Sequence, residues 1–366
     1  MGLISRELQL APSPCSRYWP TASGLVSRWH KRARRVKALS DKGAAPATRW
    51  FVTGATGHLG SFLVRLLLQQ GHEVAILRRT RSNLWRIHDV ENVLLHVYGD
   101  ISQPEGWRRQ FLDFQPEVVF HLAWEGVSAA DRDAAGQMTR NVTAALRLLE
   151  LSREARVRVF AGTGSQAEYG PCSHRIDESL QPKPCTPYGI AKYCLSMLMN
   201  QFCEAAGMRA LWFRIFSVYG PMDNTFHMLP TLIQSLLEGR PMALTSGEQM
   251  WDYLYVEDAV RAFYAAVANP DAHGIYNVAS GQAVRLRSIM ENVRDLIAPS
   301  ISLGFGELAA RLGDPAHLEG DIEKLRLATG WSPRVELASG LAETVMWHRK
   351  SFLSMDRRAR ETAAQN

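Results

Sequence analysis

Arg49-Trp-Phe-Val-Thr-Gly-Ala-Thr-Gly-His-Leu-Gly60 is the stretch that decides the fold. A short apolar run, read as a strand over 49–54, gives way to three glycines and then to a helical pattern from Leu59 to Gln70. Without Cβ atoms at Gly54, Gly57 and Gly60 the backbone can turn sharply and approach a pyrophosphate. The helix N-terminus that follows offers N–H donors and partial positive charge. A glycine-rich run alone means little, but between a strand and a helix it predicts a dinucleotide site, with Thr56, His58 and Leu59 completing the loop.

Outward from this stretch, apolar runs alternate with helical ones. Strands are expected at 73–78, 92–98, 117–123, 157–163 and 210–216, and helices over Gln137–Arg153 and Tyr188–Ala206. This is the pattern of an α/β chain, a Rossmann-like doubly wound parallel sheet over 49–220. After Gly220 the alternation loosens into a Pro- and Gly-punctuated region, 221–355, expected to be mainly a smaller C-terminal substrate-binding lobe, with pieces near 250–280 returning to the sheet. The amphipathic stretches Asp321–Ala328 and Leu337–His348 flank Gly330-Trp-Ser-Pro333, and a frayed tail is expected over 356–366.

At 366 residues and 46% hydrophobic the chain can bury a large core. No run approaches the roughly 18 apolar residues that span a bilayer, so no membrane segment is expected. The net charge of +6 is concentrated in residues 1–48, which hold nine Lys/Arg and two acids, leaving 33 bases against 34 acids elsewhere. The charge therefore reads as a solvated basic arm, not a nucleic-acid surface. The arm lacks the apolar core of a secretory signal. Its Arg-rich, acid-poor character also matches an organellar transit peptide, but a disordered extension or a start codon assigned too far upstream is preferred. Cys15, Cys172, Cys185, Cys194 and Cys203 are odd in number and lack CxxC spacing, so neither a metal site nor a disulfide framework is expected, and a cytoplasmic location fits.

The second strand ends in Ile76-Leu-Arg-Arg-Thr80 without the acid that would bind the adenosine ribose hydroxyls. Arg78 and Arg79 are expected to meet a 2′-phosphate, favouring NADP(H) over NAD(H). Asp100 and Ile101 end the third strand, where a carboxylate can accept from the adenine amino group. Leu122, Ala123 and Trp124 follow His121 at the end of the fourth, near the path of the nicotinamide ribose; a core-edge role for His121 and Trp124 stays open.

Tyr188 and Lys192 in Pro187-Tyr-Gly-Ile-Ala-Lys192 stand one helical turn apart, so phenol and ammonium share a face. Free Tyr titrates near pH 10, and acid/base work near neutrality needs a shift of roughly 3 units, about 4 kcal/mol, for which a nearby buried Lys is a source. Ser165 ends the fifth strand in Gly162-Thr-Gly-Ser-Gln-Ala-Glu-Tyr-Gly170, on the edge where ligands bind, and can hydrogen-bond a substrate carbonyl; Thr163 is its understudy.

TGATGHLG (53–60), GDI (99–101), HLAW (121–124), GSQAEYG (164–170), PYGIAK (187–192), RIFSVYGP (214–221), WDYLYVED (251–258) and NVASG (277–281), in this order and spacing, closely resemble the extended short-chain dehydrogenase/reductase family in its nucleotide-sugar branch of epimerases, dehydratases and ketoreductases. The resemblance covers about 49–350. It implies that Tyr188 moves a proton at a sugar oxygen while hydride moves at the same carbon. Lys192 would lower the Tyr pKa and hold the nicotinamide ribose, with Ser165 fixing the carbonyl. It implies a homodimer through the helices near 137–153 and 188–206, and a pyrophosphate grip by Arg311. Ser217 and Trp251 stand where an Asn and a second phosphate-binding Arg are common. Trp124, Glu168, Gln249 and Asp252 are candidates for the sugar pocket; loop and local-capping roles remain open for the last three, and for Asp258.

The dehydratases of this branch carry an Asp-Glu pair after the catalytic hydroxyl; Gln166 and Ala167 stand there, so dehydration is disfavoured. Arg78 and Arg79 then favour NAD(P)H-dependent reduction of a nucleotide-linked 4-keto-6-deoxyhexose, and LRRTRSNLWRI (77–87), GSQAEYG (164–170) and the Gln249–Asp252 segment most resemble reductases acting on such sugars. The alternative is a nucleotide-hexose 4-epimerase with bound NAD, and a remote third reading is a cofactor-binding sensor or scaffold without chemistry.

Overall fold

The computed structural model describes residues 47–128, 131–309 and 315–365. Residues 1–46 of the basic arm, and Arg311, lie outside them. The first half runs β1 (Arg49–Thr53), α1 (His58–Gln69), β2 (Glu73–Arg78), β3 (Leu95–Tyr98), α2 (Arg108–Phe114), β4 (Val118–His121), a π-helical turn (Met138–Val142) leading into α3 (Thr143–Glu154), β5 (Val159–Ser165), α4 (Pro187–Ala205) and β6 (Arg209–Ile215). The second half adds β7 (Ser217–Tyr219), α5 (Met228–Leu237), β8 (Ala243–Leu244), β9 (Met250–Tyr255), α6 (Val256–Ala268), β10 (Gly274–Val278), β11 (Ala283–Arg285), α7 (Leu286–Ile297), β12 (Gly304–Phe305), β13 (His317–Leu318), α8 (Glu323–Thr329) and α9 (Leu337–Gln365).

Seven strands form one parallel sheet in the order β10-β6-β5-β4-β1-β2-β3. The chain moves outward from β1 in one direction, then crosses back to β4 on the other side. That reversal opens a crevice beyond the C-terminal ends of β1 and β4, the usual ligand site of such sheets. The central strands are continuous apolar runs because both sheet faces are covered. One face packs Val52, Phe120, Phe213 and Ile76 against Leu63 and Leu67 of α1 and Phe263 of α6. The other packs Phe51, Val119 and Phe160 against Leu148 of α3 and Leu195 and Met199 of α4.

Two strands, β3 and β4, are shorter than the sequence predicts. The residues before Leu95 form a short 3-10 turn, Glu91–Val93, and β4 stops at His121 because the chain leaves the sheet there for the loop that lines the crevice. β10, from within 250–280, joins the sheet edge beside β6. The smaller C-terminal lobe has its own core of Leu232, Ile233, Leu236, Ile289, Val293, Leu341 and Val345, gathered from α5, α7 and α9. β9 pairs with β7, β11 and β13 beside it. No helix among the described residues is long and apolar enough to cross a membrane.

Candidate active site

The crevice is a cavity of about 870 Å³, near the upper end for small-molecule sites. Its lining joins the glycine loop to the ends of β2, β3, β4 and β5 and the start of α4. Gly54, Thr56, Gly57, His58, Leu59, Gly60, Arg78, Arg79, Asp100, Ile101, Leu122, Ala123, Trp124, Ser165, Tyr188 and Lys192 all line it. Residues up to 174 positions apart in sequence, Thr53 and His227, meet here because the parallel strands carry their ends to one edge.

The loop geometry accounts for the glycines. Gly54 has φ +74°, and a Cβ there would stand 2.7 Å from Ala123 N; a Cβ on Gly60 would collide with Gly54 O. α1 begins without a capping side chain or an acid in its first turn, so its first N–H groups are free to meet an anion. The donor-rich loop and its bare close approach fit a dinucleotide pyrophosphate.

Ser165 ends β5 in a capping box: Ala167 N–H donates to Ser165 Oγ at 3.2 Å, and Ser165 N–H donates to Glu168 Oε1 at 2.9 Å. Thr186 caps α4, accepting from Gly189 N–H at 3.1 Å, and Pro187 occupies the first turn. These two caps bring the hydroxyl and the phenol into the same cavity, where Ser165 counters part of the burial-driven rise in the Tyr188 pKa. Thr163, the understudy, instead turns its hydroxyl toward His121 O at 3.4 Å.

Lys192 is 4% exposed. Its Nζ donates to Thr163 O at 2.6 Å and sits 3.7 Å from the centroid of the Trp124 ring, against 5.9 Å for the Tyr188 ring. Burial pushes its pKa down to about 7, with the Glu168 charge opposing. Burial also raises Tyr188, opposed by the Arg132 charge and the Ser165 hydroxyl. Arg132 Cζ stands 5.4 Å from the centroid of the Tyr188 ring. His121 is buried, shares a 2.8 Å hydrogen bond with Thr53 Oγ1, and is held neutral by burial with a pKa near 3.

Several expected partners lie elsewhere. Glu168 is fully buried behind the cavity, paired with Arg214 at 2.8 Å and accepting from Trp212 Nε1 at 3.0 Å. Trp251 Nε1 donates to Ser217 Oγ at 2.6 Å, so each satisfies the other. Gln249 Oε1 is buried with no hydrogen-bond partner among the described residues. Glu168, Ser217, Gln249 and Trp251 do not line this cavity. Asp252 caps Ser280, Gly281 and Gly320 N–H groups, and Asp258 those of Arg334 and Val335, which are local structural roles.

The sequence reading missed the loop after β4. Gln137, in the residue before the π-helical turn, accepts from Trp124 Nε1 at 2.8 Å and donates to Gly126 O at 2.7 Å; Asn141 accepts from Glu125 N–H at 2.7 Å. A π-helical turn has no sequence period to announce it. Also missed were Asp223, Asn224 and His227, which enter the cavity beside the glycine loop, where Asp223 Oδ1 stands 3.2 Å from His58 Nδ1.

Residues 50–279 match the NAD dependent epimerase/dehydratase family. The chain is 30% identical over 311 residues to UDP-glucose 4-epimerase of Mycolicibacterium smegmatis, covering 82% of this chain and 98% of the relative. The Thermotoga maritima UDP-glucose 4-epimerase, solved with UDP-glucose, superposes with a TM-score of 0.77 at 27% identity over 83% of this chain and 99% of that one. The Thermus thermophilus UDP-glucose 4-epimerase complex with NAD gives 0.75 at 26% over 82% and 99%.

Two expectations are corrected. NADP(H) gives way to NAD: the T. thermophilus enzyme at 26% identity and MoeE5 at 27% are solved with NAD. The physical reason is that the two arginines are engaged. Arg78 donates to His96 Nδ1 at 2.7 Å and Tyr98 Oη at 2.9 Å, and Arg79 stands 3.9 Å from Asp100 and 3.6 Å from Glu125, carboxylates that would repel a 2′-phosphate. The 4-keto reductase reading falls with it: it rested on those arginines and on a likeness to reductases, whereas the M. smegmatis relative and the T. maritima and T. thermophilus structures are 4-epimerases.

Proposed function

The chain belongs to the NAD dependent epimerase/dehydratase family, and we propose that it is a nucleotide-sugar 4-epimerase working with bound NAD. Its fold and family are those of the NAD(P)-dependent oxidoreductases of the extended short-chain type. The observation that carries the reading is that Ser165, Tyr188 and buried Lys192 line one cavity with the glycine loop, without acids at positions 166 and 167. Similarity to two UDP-glucose 4-epimerases of known structure supports it.

Gly54, Gly57, Gly60 and the first turn of α1 would hold the dinucleotide, with Asp100 and Ile101 at its adenine end and Leu122 and Ala123 along its length. NAD, when bound, supplies the hydride acceptor and donor. Tyr188 Oη takes the proton of the sugar C4 hydroxyl and later returns it, while Ser165 donates to the oxygen as it becomes a carbonyl. Lys192, and Arg132 from the other side, favour the phenolate. Inversion requires the ketose to present its other face between the two transfers. That places a demand on room in the cavity, not on a second acid. A homodimer through α3 and α4 accompanies the proposal, supported by the exposed Ile190, Met197 and Leu198 on α4.

The test is incubation of purified protein with NAD and UDP-glucose. Conversion to UDP-galactose without net NADH formation is expected; UDP-glucose recovered unchanged, or converted only with stoichiometric change in the cofactor, overturns the reading.

A further inference from the structure

Lys192 is a buried cation with no carboxylate in direct contact among the described residues. Its Nζ has one carbonyl, Thr163 O at 2.6 Å, and two aromatic rings, Trp124 close at 3.7 Å and Tyr188 farther at 5.9 Å. The indole is not there by accident of a loop. Gln137, itself 0% exposed, accepts from its Nε1 at 2.8 Å and is held in turn by Gly126 O and Asp131 O, and by Asn141 Nδ2 at 3.2 Å. The Trp124 ring also meets Tyr188 edge-on, at 6.0 Å and 82°. The π-helical turn, Gln137, Trp124 and Lys192 thus form one connected support.

We propose that Trp124 is a positioning residue that holds the Lys192 ammonium by its ring face and keeps it charged inside the cavity, an assignment that rests on Lys192 acting in the epimerase site proposed above. A desolvated cation over an indole face is the arrangement in which cation–π attraction is strongest. The need for it is plain from burial, which brings the lysine down to about 7. The other groups facing Lys192 divide. Glu168 behind β5 favours the charged form, while His121 on β4 is neutral; Tyr188 on α4 has Arg132 Cζ 5.4 Å from its ring centroid. Removing the indole removes a contact that only the ammonium form enjoys, so the Lys192 midpoint falls and the charged form is lost at lower pH.

The experiment reads the lysine itself. Protein loaded with NAD and labelled with ¹³C at lysine Cε is titrated by NMR; the chain has seven lysines, and Lys192 is assigned by the signal missing in Lys192→Met. In Trp124→Leu the Lys192 midpoint is expected lower than in the wild type by about one pH unit, a tenfold change. Trp124→Phe, with a weaker face, is expected between the two, and carries the test alone if the leucine variant does not fold. The alkaline limb of the kcat profile should move with the midpoint. Coincident midpoints in wild type and variant overturn the proposal, even where KM rises. If UDP-glucose is not converted at all, the epimerase reading fails while the titration still decides the role of Trp124.

Discussion

Two buried cations flank β5, and they are buried in opposite ways. Arg214, 1% exposed, has a full complement: Glu168 at 2.8 Å and the Tyr169 ring at 4.4 Å, which hold its guanidinium charged although burial opposes it. Lys192, 4% exposed, has a carbonyl and aromatic faces, and is brought close to neutral pH. A paired buried charge is fixed in one state and serves structure. An unpaired one is poised between states, the condition a proton-handling site requires. Both depend on Glu168, which pairs with Arg214, holds the Ser165 N–H and biases Lys192 from a distance.

The contrast breaks most visibly at Tyr188. Tyr188→Phe should lower kcat by about 10² to 10⁴-fold, with an unchanged thermal midpoint, if the lost hydroxyl is the proton carrier proposed above. Lys192→Met should cost a similar factor, since the three residues act as a unit. Its urea midpoint should not fall, because a desolvated charge has been removed. Arg214→Met should reverse that pattern, losing about 3–5 kcal/mol of stability by stranding the Glu168 carboxylate, as read by urea unfolding. If Lys192→Met proves the less stable of the two, the distinction between paired and poised cations is wrong.

A smaller effect concerns His121, whose folded pKa near 3 lies below the unfolded value of about 6.5. Between these values the unfolded chain binds the proton and the folded one does not, so this contribution to stability is complete above about pH 6.5 and declines as pH falls toward 3. Urea midpoints from pH 7 to 4 should fall, and less steeply in His121→Gln. Smallest of all, Arg78→Gln should change NAD affinity by less than about fivefold, measured by titration calorimetry, since Arg78 is spent on His96 and Tyr98.

That the glycine loop, Tyr188 and Lys192 would meet in one cavity was legible because their spacings are local, whereas the choice of NADP(H) over NAD was not. A glycine loop between strand and helix, and a Tyr and Lys one turn apart, are spacings along the chain, and parallel strands carry them to one edge. Ser165 was legible for the same reason. What failed were inferences about partners distant in sequence. Arg78 looked free for a phosphate because His96 and Tyr98, on the neighbouring strand, cannot be paired with it without the β2–β3 register. Glu168 looked like a pocket acid until its residue-level partner Arg214, 46 positions on, turned it inward. The support of Trp124 by Gln137 depends on a π-helical turn that apolar periodicity does not encode.

The central claim is that hydride leaves and returns to one sugar carbon within this cavity while Tyr188 carries the proton. UDP-glucose deuterated at C4, incubated with the NAD-loaded protein in ordinary water, tests it most directly. UDP-galactose retaining deuterium at C4, read by mass spectrometry and NMR, is the result predicted; UDP-galactose with hydrogen from solvent at C4 would contradict the account.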